Sequence, residues 1–550
     1  MSVRFATPAS NAHRHQLLIR HILEGSIAAA AEQEIVYRGE HRQSYADLLE
    51  RVNRLAGMLK TLGVRPGETV AVMDWDSHRY LEAYFAVPMM GAVLQTVNVR
   101  LSTEQLVYCL RSSTASVLLF HRDFAPLLDA VLPHLPGIRC RVLIADGEDF
   151  CKEGTEGEYE ELLSASHARF DFPEFDENAL ATTFHTTGTT GNPKAVSFSH
   201  RQLVLHALSL TATLASQPDG QGFRRGDVYM PLTPMFHVHA WGMPYVATMA
   251  GAKQVYPGRY EPELLLKLKR DERVNFSHCV PTVLQMLLGA ATAAGHKSIG
   301  PWTLLIGGSA LSSSLQETAA TFGINALAGY GMSETAPTIC VARHDRNAAN
   351  DRGAALRRAG MPIPLVQTMI VDPDMNPLPA DGRSEGELVL RAPWLTQSYE
   401  GDVAASEGLW RGGWLHTQDL AVIDQNGAVA IRDRLKDVIK TGGEWVSSTQ
   451  VEDLIMLHPD VAEAAVIAIP DMKWGERPFA FVVPIASAAA SLTADLLRNH
   501  LVAFVDKGLL NRIAIPENIA IVESLPRTSV GKIDKKNLRT HFEGRSAAKA

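Results

Sequence analysis

The sequence predicts an α/β protein with more than one domain, and three observations carry this prediction. Short apolar segments alternate with longer amphipathic ones between residues 44 and 120, which is typical of parallel sheets covered by helices. The chain has 550 residues, more than a single hydrophobic core normally holds. A compact set of helical and strand patterns follows residue 435, which indicates a small α+β unit.

The first elements follow one another as helix and strand. Residues 44–62 have an amphipathic pattern that ends at Gly63, so a helix is predicted there. The alternation continues with a strand at 69–73, a helix at 77–90, a strand at 93–97, a helix at 103–110 and a strand at 116–120. Residues 145–160 are acidic and contain glycine, which indicates a surface excursion.

Residues 186–194, Thr-Thr-Gly-Thr-Thr-Gly-Asn-Pro-Lys, are the most informative stretch of the chain. The glycines let the backbone approach a ligand, the threonine hydroxyls add donors, and Lys194 adds positive charge. Apolar segments at 179–184 and 195–198 flank the stretch, so a tight turn between two strands is predicted. The glycine and lysine spacing differs from that of the P-loop NTPases. A flexible connection is the alternative, and we predict a phosphate-binding loop.

A boundary between two units is predicted near residues 434–436. Upstream, 422–432 has the pattern of a hairpin closed by Gln425-Asn426-Gly427. Downstream, the patterns are a helix from Ser448, strands at 464–469 and 480–483, a helix from Thr493 and a strand at 518–522. We therefore expect a large domain at residues 1–435 and a small domain at residues 436–550.

Composition excludes several classes of protein. The 52 basic and 60 acidic residues give a net charge of −8, so no basic surface for nucleic acid is expected. No run of about 18 apolar residues occurs, so we expect no membrane span, although peripheral contact stays open. The N-terminus lacks the apolar core of a secretory signal. The five scattered cysteines contain no C-x-x-C pair and fit a reduced cytoplasm without disulfides or zinc.

Seven further motifs follow the 186–194 stretch in order. They are Pro234-Met-Phe-His237 with Trp241-Gly242, Gly307-Gly308-Ser309, Gly-Tyr-Gly-Met-Ser-Glu-Thr at 329–335, Gln418-Asp419, Asp-Arg-Leu-Lys-Asp at 433–437, Lys-Thr-Gly-Gly-Glu-Trp at 440–445, and Pro-Arg-Thr-x-x-Gly-Lys at 526–532. Together they resemble the adenylate-forming superfamily of acyl-CoA synthetases, firefly luciferases and peptide-synthetase adenylation domains. The resemblance covers nearly the whole chain and is closest to medium- and long-chain fatty acyl-CoA synthetases.

The resemblance implies both a fold and a reaction. The large N-terminal domain would hold stacked parallel-rich sheets with helices and a distorted β-barrel, and the small α+β C-terminal domain would be mobile. A carboxylic acid and ATP would give an acyl adenylate and pyrophosphate, and CoA would then give acyl-CoA and AMP. A medium- or long-chain fatty acid is the first expectation for the acid. Alternatives are an aromatic or other bulky hydrophobic acid, transfer to a carrier protein, luciferase-type oxidation, or a nucleotide sensor without catalysis.

The resemblance also implies a nucleotide site. Thr335 is expected to donate to the α-phosphate, Tyr330 to stack on adenine, and Asp419 with Arg434 to bind the ribose. The other expected nucleotide contacts are Thr186, Thr187, Gly188, Thr189, Thr190, Gly191, Gly307, Gly308, Ser309, Gly329, Gly331, Met332 and Ser333. The chain departs from the family at Gln418 and Asp433, which stand where glycine is usual.

Lys532, His237 and Lys194 are the expected catalytic residues. In the resembled family, the C-terminal lysine bridges the carboxylate and the α-phosphate during adenylation only, and the histidine packs beside the carboxylate. Glu334 is the expected Mg²⁺ ligand, because magnesium commonly takes one or two carboxylates together with substrate phosphates. His237 and His239 could also be read as a metal pair, but two histidines without a third ligand are a weak signal.

The remaining expected roles are binding of the acid, binding of CoA and movement of the small domain. His185 and Trp241 are expected in the acyl pocket, where Trp241 would act as a gate; plain core packing is the alternative for Trp241. The expected CoA contacts are Lys440, Gly442, Gly443 and Glu444. Lys436 is the expected hinge between the domains, since it follows Arg434 by two residues. A homodimer is expected, because close fatty-acid relatives pair.

Overall fold

A computed structural model describes residues 3–147, 150–186, 192–218, 221–343, 359–528 and 531–547. The strands, numbered in chain order, are β1 (Glu34–Tyr37), β2 (His41–Ser44), β3 (Thr69–Met73), β4 (Val93–Thr96), β5 (Ala115–His121), β6 (Cys140–Ile144), β7 (Gly157–Glu158), β8 (Leu180–His185), β9 (Ala195–Ser199), β10 (Val228–Leu232), β11 (Lys253–Tyr256), β12 (Phe276–Cys279), β13 (Trp302–Ile306), β14 (Ile324–Gly331), β15 (Thr338–Val341), β16 (Met361–Pro362), β17 (Gln367–Val371), β18 (Gly386–Arg391), β19 (Leu415–Ile423), β20 (Val429–Arg434), β21 (Ile439–Thr441), β22 (Glu444–Val446), β23 (Val461–Asp471), β24 (Gly475–Pro484) and β25 (Asn518–Ile521).

The α-helices are α1 (Arg20–Ala30), α2 (Tyr45–Thr61), α3 (His78–Met89), α4 (Thr103–Ser112), α5 (Ala125–Val131), α6 (Tyr159–Ser164), α7 (His200–Ala215), α8 (Met243–Ala250), α9 (Pro262–Asp271), α10 (Pro281–Ala293), α11 (Ser313–Thr321), α12 (Val403–Leu409), α13 (Ser448–Met456), α14 (Ala494–Asp506) and α15 (Lys535–Ala547). Several begin at a serine that accepts a hydrogen bond from the backbone of the first turn. Ser44, Ser77, Ser102, Ser199 and Ser447 do so.

Two large sheets form the main body. One has seven strands in the order β7-β6-β5-β3-β4-β8-β9, parallel throughout except for the β8–β9 pair. The other has nine strands in the order β16-β15-β14-β13-β12-β10-β11-β1-β2, parallel in its centre and antiparallel at both edges. Every residue of α3 is buried, and this helix contacts β3, β4 and β8 of one sheet and β1 of the other. The largest core cluster therefore lies between two stacked sheets.

Two smaller sheets complete the fold. Strands β17 to β20 form an antiparallel sheet, and a backbone pairing of Gly360 with Val429 links it to the β16 edge of the nine-stranded sheet. Strands β21 to β25 form the last sheet, in the order β22-β21-β24-β23 with β25 beside β24. Helices α13 and α14 pack on this sheet around a separate core. The predicted fold class is confirmed, while the domain division at residue 435, between β20 and β21, stays a prediction.

Most predicted elements of the sequence occur within one to three residues of their expected bounds, but the predicted excursion at 145–160 is partly wrong. Residues 157–158 form β7, and α6 begins at Tyr159. Tyr159 is completely buried and donates to Glu82 at 2.6 Å. Glu82 also binds Arg51, which in turn binds Glu160. Glu160 thus pairs with the partly buried Arg51 and with the buried Arg79, which local composition does not reveal.

Candidate active site

The connection between β8 and β9 holds the predicted phosphate loop. The strands pair up to His185 and Ala195. Beyond them, the Thr186 amide donates to the Lys194 carbonyl at 2.9 Å, and the Lys194 amide donates to the Thr186 hydroxyl at 3.1 Å. The chain therefore reverses between two strands, as the flanking apolar segments predict. The expected phosphate ligands Thr187, Gly188, Thr189, Thr190 and Gly191 lie outside the described residues.

Lys194 and Glu334 both contact Tyr399, a residue that the sequence motifs do not single out. The Lys194 ammonium lies 4.4 Å from the centroid of the Tyr399 ring. The Tyr399 hydroxyl donates to Glu334 Oε1 at 2.7 Å. Residue 399 also pairs with Val196 of β9, which attaches its segment to the exit of the loop. Tyr399 therefore links the lysine of the loop to the predicted metal ligand.

Glu334 is a buried carboxylate with cations nearby. Burial raises its pKa, and the Tyr399 hydrogen bond, Arg434 and Lys194 oppose that rise. The 3₁₀ turn Ser333–Thr335 carries Glu334 directly after β14. A buried carboxylate facing cations is the electrostatic setting expected where phosphates and a divalent ion bind together.

The glycines of β14 are required by close packing. A Cβ on Gly331 would lie 1.8 Å from the Pro337 carbonyl oxygen, and one on Gly329 would lie 2.9 Å from Leu305 Cδ1. No other residue fits at Gly331 without moving the backbone. The motif glycines thus permit the close packing at the end of the strand.

Thr335 has contacts that differ from its expected role. Its side chain is completely buried, its hydroxyl donates to the Pro337 carbonyl, and it accepts from the Met332 amide at 3.0 Å. Donation to an α-phosphate would require the hydroxyl to leave Pro337. Met332 and Ser333 are partly buried beside it.

Asp419 and Arg434 face each other across β19 and β20. Their side chains approach at 3.5 Å, and the Tyr330 hydroxyl donates to Asp419 Oδ2 at 2.7 Å. Burial raises the pKa of Asp419, and the charge of Arg434 opposes that rise. Gln418, where the family usually has glycine, adopts φ +62°. The strand therefore keeps the left-handed backbone that glycine normally supplies.

Lys532 reaches this site from the C-terminal part of the chain. Its Cε lies 3.3 Å and its Nζ 3.9 Å from the place where a Cβ on Gly308 would stand. Burial, and then the charge of Arg434, lower its pKa to about 8, while Asp419 and Glu334 act in the opposite direction. The predicted catalytic lysine, ribose ligand and metal ligand are therefore electrostatically coupled. Of the Gly307-Gly308-Ser309 motif, Gly307 is buried and the other two are exposed.

The segment before His237 is held by buried side chains. Asp76 Oδ1 accepts from the Met235 amide at 2.7 Å, Tyr84 donates to the Met235 carbonyl, and Thr96 donates to the Phe236 carbonyl at 3.0 Å. Burial, and then the charges of Lys532 and Arg100, lower the pKa of His237 to about 3. His237 is therefore a neutral imidazole next to the lysine.

Residues 238–242 form one turn with left-handed backbone. Val238, His239, Ala240 and Trp241 have φ between +45° and +57°, and Gly242 has φ +74°. This geometry costs an L-residue about 1–2 kcal/mol, so the surrounding packing must hold it. Its consequence is that Trp241 points at Gly307, where a Cβ would lie 2.9 Å from the indole. Trp241 is thus packed beside the Lys532 site.

His185 and Trp241 are not brought together by direct contacts. Successive strand residues face opposite sides of a sheet. Phe184 contacts the ring of His239, which belongs to the left-handed turn. His185 instead bonds Ser112 of α4 through Nε2 at 2.7 Å. The geometry therefore places His185 against α4, and its expected place in the acyl pocket is not supported by its contacts.

The expected CoA segment forms the β21–β22 hairpin, with Gly442 at φ +61° and Gly443 at φ +85°. The Gly442 amide donates to the Trp474 carbonyl at 2.9 Å, and Glu444 accepts from Asn511 at 2.6 Å. Lys440 is exposed. These contacts are made to residues that follow the hairpin in the C-terminal part of the chain, whereas Lys532 lies near Gly308 and is influenced by the charges of Asp419 and Glu334.

The expected hinge lies beside a buried polar network. Asp433 Oδ2 accepts from the Ser448 amide and from the Ser448 hydroxyl, each at 2.6 Å. Lys535 donates to the same Ser448 hydroxyl at 2.7 Å and pairs with Glu452. The two Asp433–Ser448 bonds join residues on both sides of Lys436, and Lys535 and Glu452 extend the network after it. They stabilise the arrangement in which Lys532 faces the site.

Comparison with known families agrees with this arrangement of motifs. The model of the AMP-binding enzyme family matches residues 23–400, and that of the AMP-binding enzyme C-terminal domain matches residues 450–532. The chain belongs to the AMP-binding enzyme family. The expected resemblance to adenylate-forming enzymes is confirmed.

Curated relatives of this AMP-binding enzyme span almost its entire length. It is 40% identical over 531 residues to a long-chain-fatty-acid–CoA ligase of Thermus thermophilus, with 95% of each chain covered. It is 36% identical over 512 residues to a 3-methylmercaptopropionyl-CoA ligase of Ruegeria pomeroyi, with 92% of each covered. It is 35% identical over 541 residues to a medium-chain-fatty-acid–CoA ligase of Ectopseudomonas oleovorans, with 96% of each covered.

Solved structures share the fold. An anthranilate CoA ligase in complex with anthranoyl-AMP superposes with a TM-score of 0.83 at 23% identity, covering 95% of this chain and 97% of the other. ATP-bound MatB from Rhodopseudomonas palustris superposes with a TM-score of 0.81 at 24% identity, covering 96% of this chain and 99% of the other.

Two residues that hold site residues of this AMP-binding enzyme in place, Tyr399 and Asp76, were not identified from the sequence. Tyr399 lies in Thr-Gln-Ser-Tyr-Glu, a segment without periodicity or a charged motif, so no local signal distinguishes it. Asp76 leaves a weak signal, because it lies between the predicted strand at 69–73 and the predicted helix at 77–90, where the structure buries it. A buried charge normally has a partner, and that rule could have marked Asp76.

Proposed function

We propose that this enzyme is an AMP-forming acid–CoA ligase that activates a carboxylic acid with ATP and transfers the acyl group to CoA. The observation that carries the proposal is the meeting of Lys532, Glu334, Asp419 and Arg434, which come from distant parts of the chain. Acids and cations concentrated at one site suit a reaction between a carboxylate and the α-phosphate of ATP, because like charges must be neutralised.

In the first step, the acid carboxylate attacks the α-phosphate, and pyrophosphate leaves. Lys532 donates to the oxygens that join carboxylate and phosphate, and Lys194 neutralises the departing pyrophosphate with the loop. Asp419, oriented by Tyr330, accepts from the ribose hydroxyls. His237 is neutral and lies beside the acid rather than adding a further charge.

In the second step, the CoA thiol attacks the acyl carbon, and AMP leaves. We propose that the small domain, residues 436–550, turns about Lys436 so that Lys532 withdraws. The β21–β22 hairpin, with Lys440, Gly442, Gly443 and Glu444, then receives the pantetheine arm. The two glycines give that hairpin a backbone that a thin ligand can approach.

Magnesium fits the residues at Glu334. One buried carboxylate is sufficient, because Mg²⁺ keeps several waters and takes its other ligands from phosphates. When bound, the ion neutralises charge on the β- and γ-phosphates. In the proposed site, waters and substrate phosphates would supply the remaining ligands.

For the acid, we propose a medium- or long-chain fatty acid, as in the ligases of Thermus thermophilus and Ectopseudomonas oleovorans. The runner-up is an aromatic acid, which the fold accommodates in the anthranilate CoA ligase. Transfer to a carrier protein in place of CoA is the second alternative.

We further propose a cytoplasmic homodimer. The five cysteines, all in the described residues, are free thiols, which fits a reducing compartment. No helix among the described residues is long and apolar enough to cross a membrane. The dimer rests on the family resemblance, and light scattering during size-exclusion chromatography measures it directly.

The test of the reaction is a screen of acids for pyrophosphate and AMP formation with ATP and magnesium, with and without CoA. We expect pyrophosphate release with hydrophobic acids and stoichiometric AMP and thioester once CoA is added. A protein that binds ATP but releases pyrophosphate with none of the acids would be a sensor and not a ligase.

A further inference from the structure

The backbone of Lys532 is fixed by a short antiparallel pairing that follows β25. Arg527 pairs with Ile533 in this segment. The Thr528 amide donates to the Lys532 carbonyl at 2.8 Å, and the Lys532 amide donates to the Thr528 hydroxyl at 3.2 Å. Both backbone polar groups of Lys532 therefore have partners close by in the sequence, and they hold its backbone in one place.

The Lys532 side chain is held less firmly than its backbone. The charges of Arg434, Asp419 and Glu334 act on its ammonium, but no hydrogen bond fixes it within the part of the chain that the structure describes. The stem of a lysine is flexible. The place that the ammonium reaches therefore depends on the position of the backbone from which the side chain extends.

Arg527 joins this backbone to the sheet formed by β21 to β25. Its Nη1 donates to the Gly531 carbonyl at 3.0 Å, and its Nη2 donates to Glu463 Oε1 at 2.5 Å. Glu463 lies in β23, which pairs with β24 along its length. The planar fork of a guanidinium can bind two acceptors at once, whereas an ammonium is a point charge. Arg527 thus ties the peptide directly before Lys532 to a strand of the sheet.

Gly531 is also a point of contact with the N-terminal part of the chain. Its φ is +83°, and a Cβ there would lie 3.2 Å from Thr282 Oγ1 in the first turn of α10. Val280, just before that helix, lies beside the same Gly308 position that the Lys532 side chain approaches. A shift of the Gly531 peptide would therefore move Lys532 relative to Gly308 and the reacting groups.

The pair of Arg527 and Glu463 is partly open to water. Their side chains are 32% and 26% exposed, and an ion pair that solvent reaches contributes little to stability. Its loss should leave folding nearly unchanged but should remove the donor that holds the Gly531 carbonyl. Displacement of a reacting group by about 1 Å can lower a rate about 100-fold, so a small shift is sufficient to affect catalysis.

We propose that Arg527 is a positioning residue for adenylation, which acts through Gly531 on Lys532 and has Glu463 as its anchor. The inference rests on the proposed ligase function and adds a residue to its first step. Because Lys532 is proposed to serve adenylation only, loss of Arg527 should also affect that step alone. A residue that merely supported the fold would affect both steps.

The test measures single-turnover pyrophosphate formation with octanoic acid, ATP and magnesium, and separately the conversion of supplied octanoyl adenylate to thioester. Arg527→Met should lower adenylation about tenfold or more and leave thioester formation within about twofold of the wild type. Arg527→Lys keeps the charge without the fork, so it should recover only part of the loss.

Arg498→Met is the matched control and should retain both steps. Arg498 also binds a carbonyl and a carboxylate, those of Glu517 and Asp495, but it lies in α14 and not beside Lys532. A double variant separates positioning from other effects. In the Lys532→Ala background, Arg527→Met should change adenylation by less than about twofold, because the side chain that it positions is absent.

Three outcomes overturn the inference: Arg527→Met keeps the wild-type adenylation rate, it lowers both steps in proportion, or it lowers adenylation equally with and without Lys532. If Arg527→Met does not melt cooperatively, Glu463→Leu, which removes the anchor, is judged by the same comparisons and should lower adenylation about threefold or more. Absence of pyrophosphate release by the wild type with every acid would contradict the proposed ligase function itself, and this inference with it.

Discussion

At the scale of single residues, substitution of Lys532 gives the most direct test of the proposed reaction. Lys532→Ala should lower adenylation about 100- to 1,000-fold, the usual loss when one electrostatic donor is removed. A supplied acyl adenylate should still be converted to thioester at near the wild-type rate, because the lysine is expected to withdraw before that step. Pyrophosphate release and thioester formation are measured on one preparation. Equal losses in both steps would contradict the role.

The pH dependence of adenylation should carry the signature of Lys532. Its pKa is lowered to about 8, so its charge is present below that pH and is lost as pH rises through it. Adenylation should therefore fall above pH 8, and bound ATP should move the fall upward because an anion favours the charged lysine. Lys532→Arg keeps its charge, so whatever activity it retains should lack this fall. If adenylation falls at the same alkaline pH in the wild type and in Lys532→Arg, the titrating group is not Lys532.

Glu334 and Tyr399 should act together on magnesium. Glu334→Gln should raise the magnesium concentration needed for pyrophosphate release by tenfold or more while leaving metal-free nucleotide binding nearly unchanged. Tyr399→Phe keeps the ring beside Lys194 and removes only the donor to Glu334, so it should raise the requirement by about threefold. Pyrophosphate release is measured as a function of magnesium concentration for the wild type and both variants. Coincident curves for wild type and Glu334→Gln would exclude Glu334 as the ligand.

At the scale of elements, β19 contains a strained position. Gln418 is exposed and has φ +62°, a conformation that glycine adopts without strain. Gln418→Gly should stabilise the protein by about 0.5–1 kcal/mol, because relief of strain exceeds the extra freedom of the unfolded chain. Gln418→Ala keeps the strain and should gain nothing. The midpoints of urea unfolding compare the two variants with the wild type. A glycine variant that is no more stable than the alanine variant would contradict the inference that Gln418 is strained.

At the scale of the whole molecule, function is expected to depend on movement about Lys436. Lys436→Pro should leave adenylation largely intact, because the structure already presents Lys532 to the site. Thioester formation should fall about 100-fold, since proline fixes φ near −65° and a hinge must change its dihedrals. Lys436→Ala is the matched control and should retain both steps. Proportional loss of both steps in a proline variant that melts cooperatively would mean the pivot lies elsewhere.

The hydrogen bonds of Asp433 oppose the proposed rotation about Lys436, because breaking them requires free energy. The Asp433 carboxylate holds the first turn of α13, and Lys535 and Glu452 extend the network. The proposed rotation about Lys436 would break the two Asp433–Ser448 bonds, which are worth about 1–3 kcal/mol each when charged groups take part. In the resembled family glycine is usual at this position and aspartate also occurs in some aromatic and fatty-acid members; here the aspartate bonds Ser448 and favours the arrangement in which Lys532 faces the site.

The sequence by itself determined the fold class, the positions of most strands and helices, and the motif residues. These features depend on local periodicity, turn residues and spacing, which neighbouring positions encode. The meeting of Lys532 with Asp419 and Glu334 was also predictable, but only through the resemblance, because residues hundreds of positions apart carry no local signal of contact.

Tertiary structure alone decided the rest. It placed Tyr399 between Lys194 and Glu334, turned His185 toward α4, and engaged the Thr335 hydroxyl with Pro337. Each result depends on which face of an element is covered and by what. Strand register and helix packing set those faces, and they are chosen by the free energy of the whole core rather than by the residues beside them.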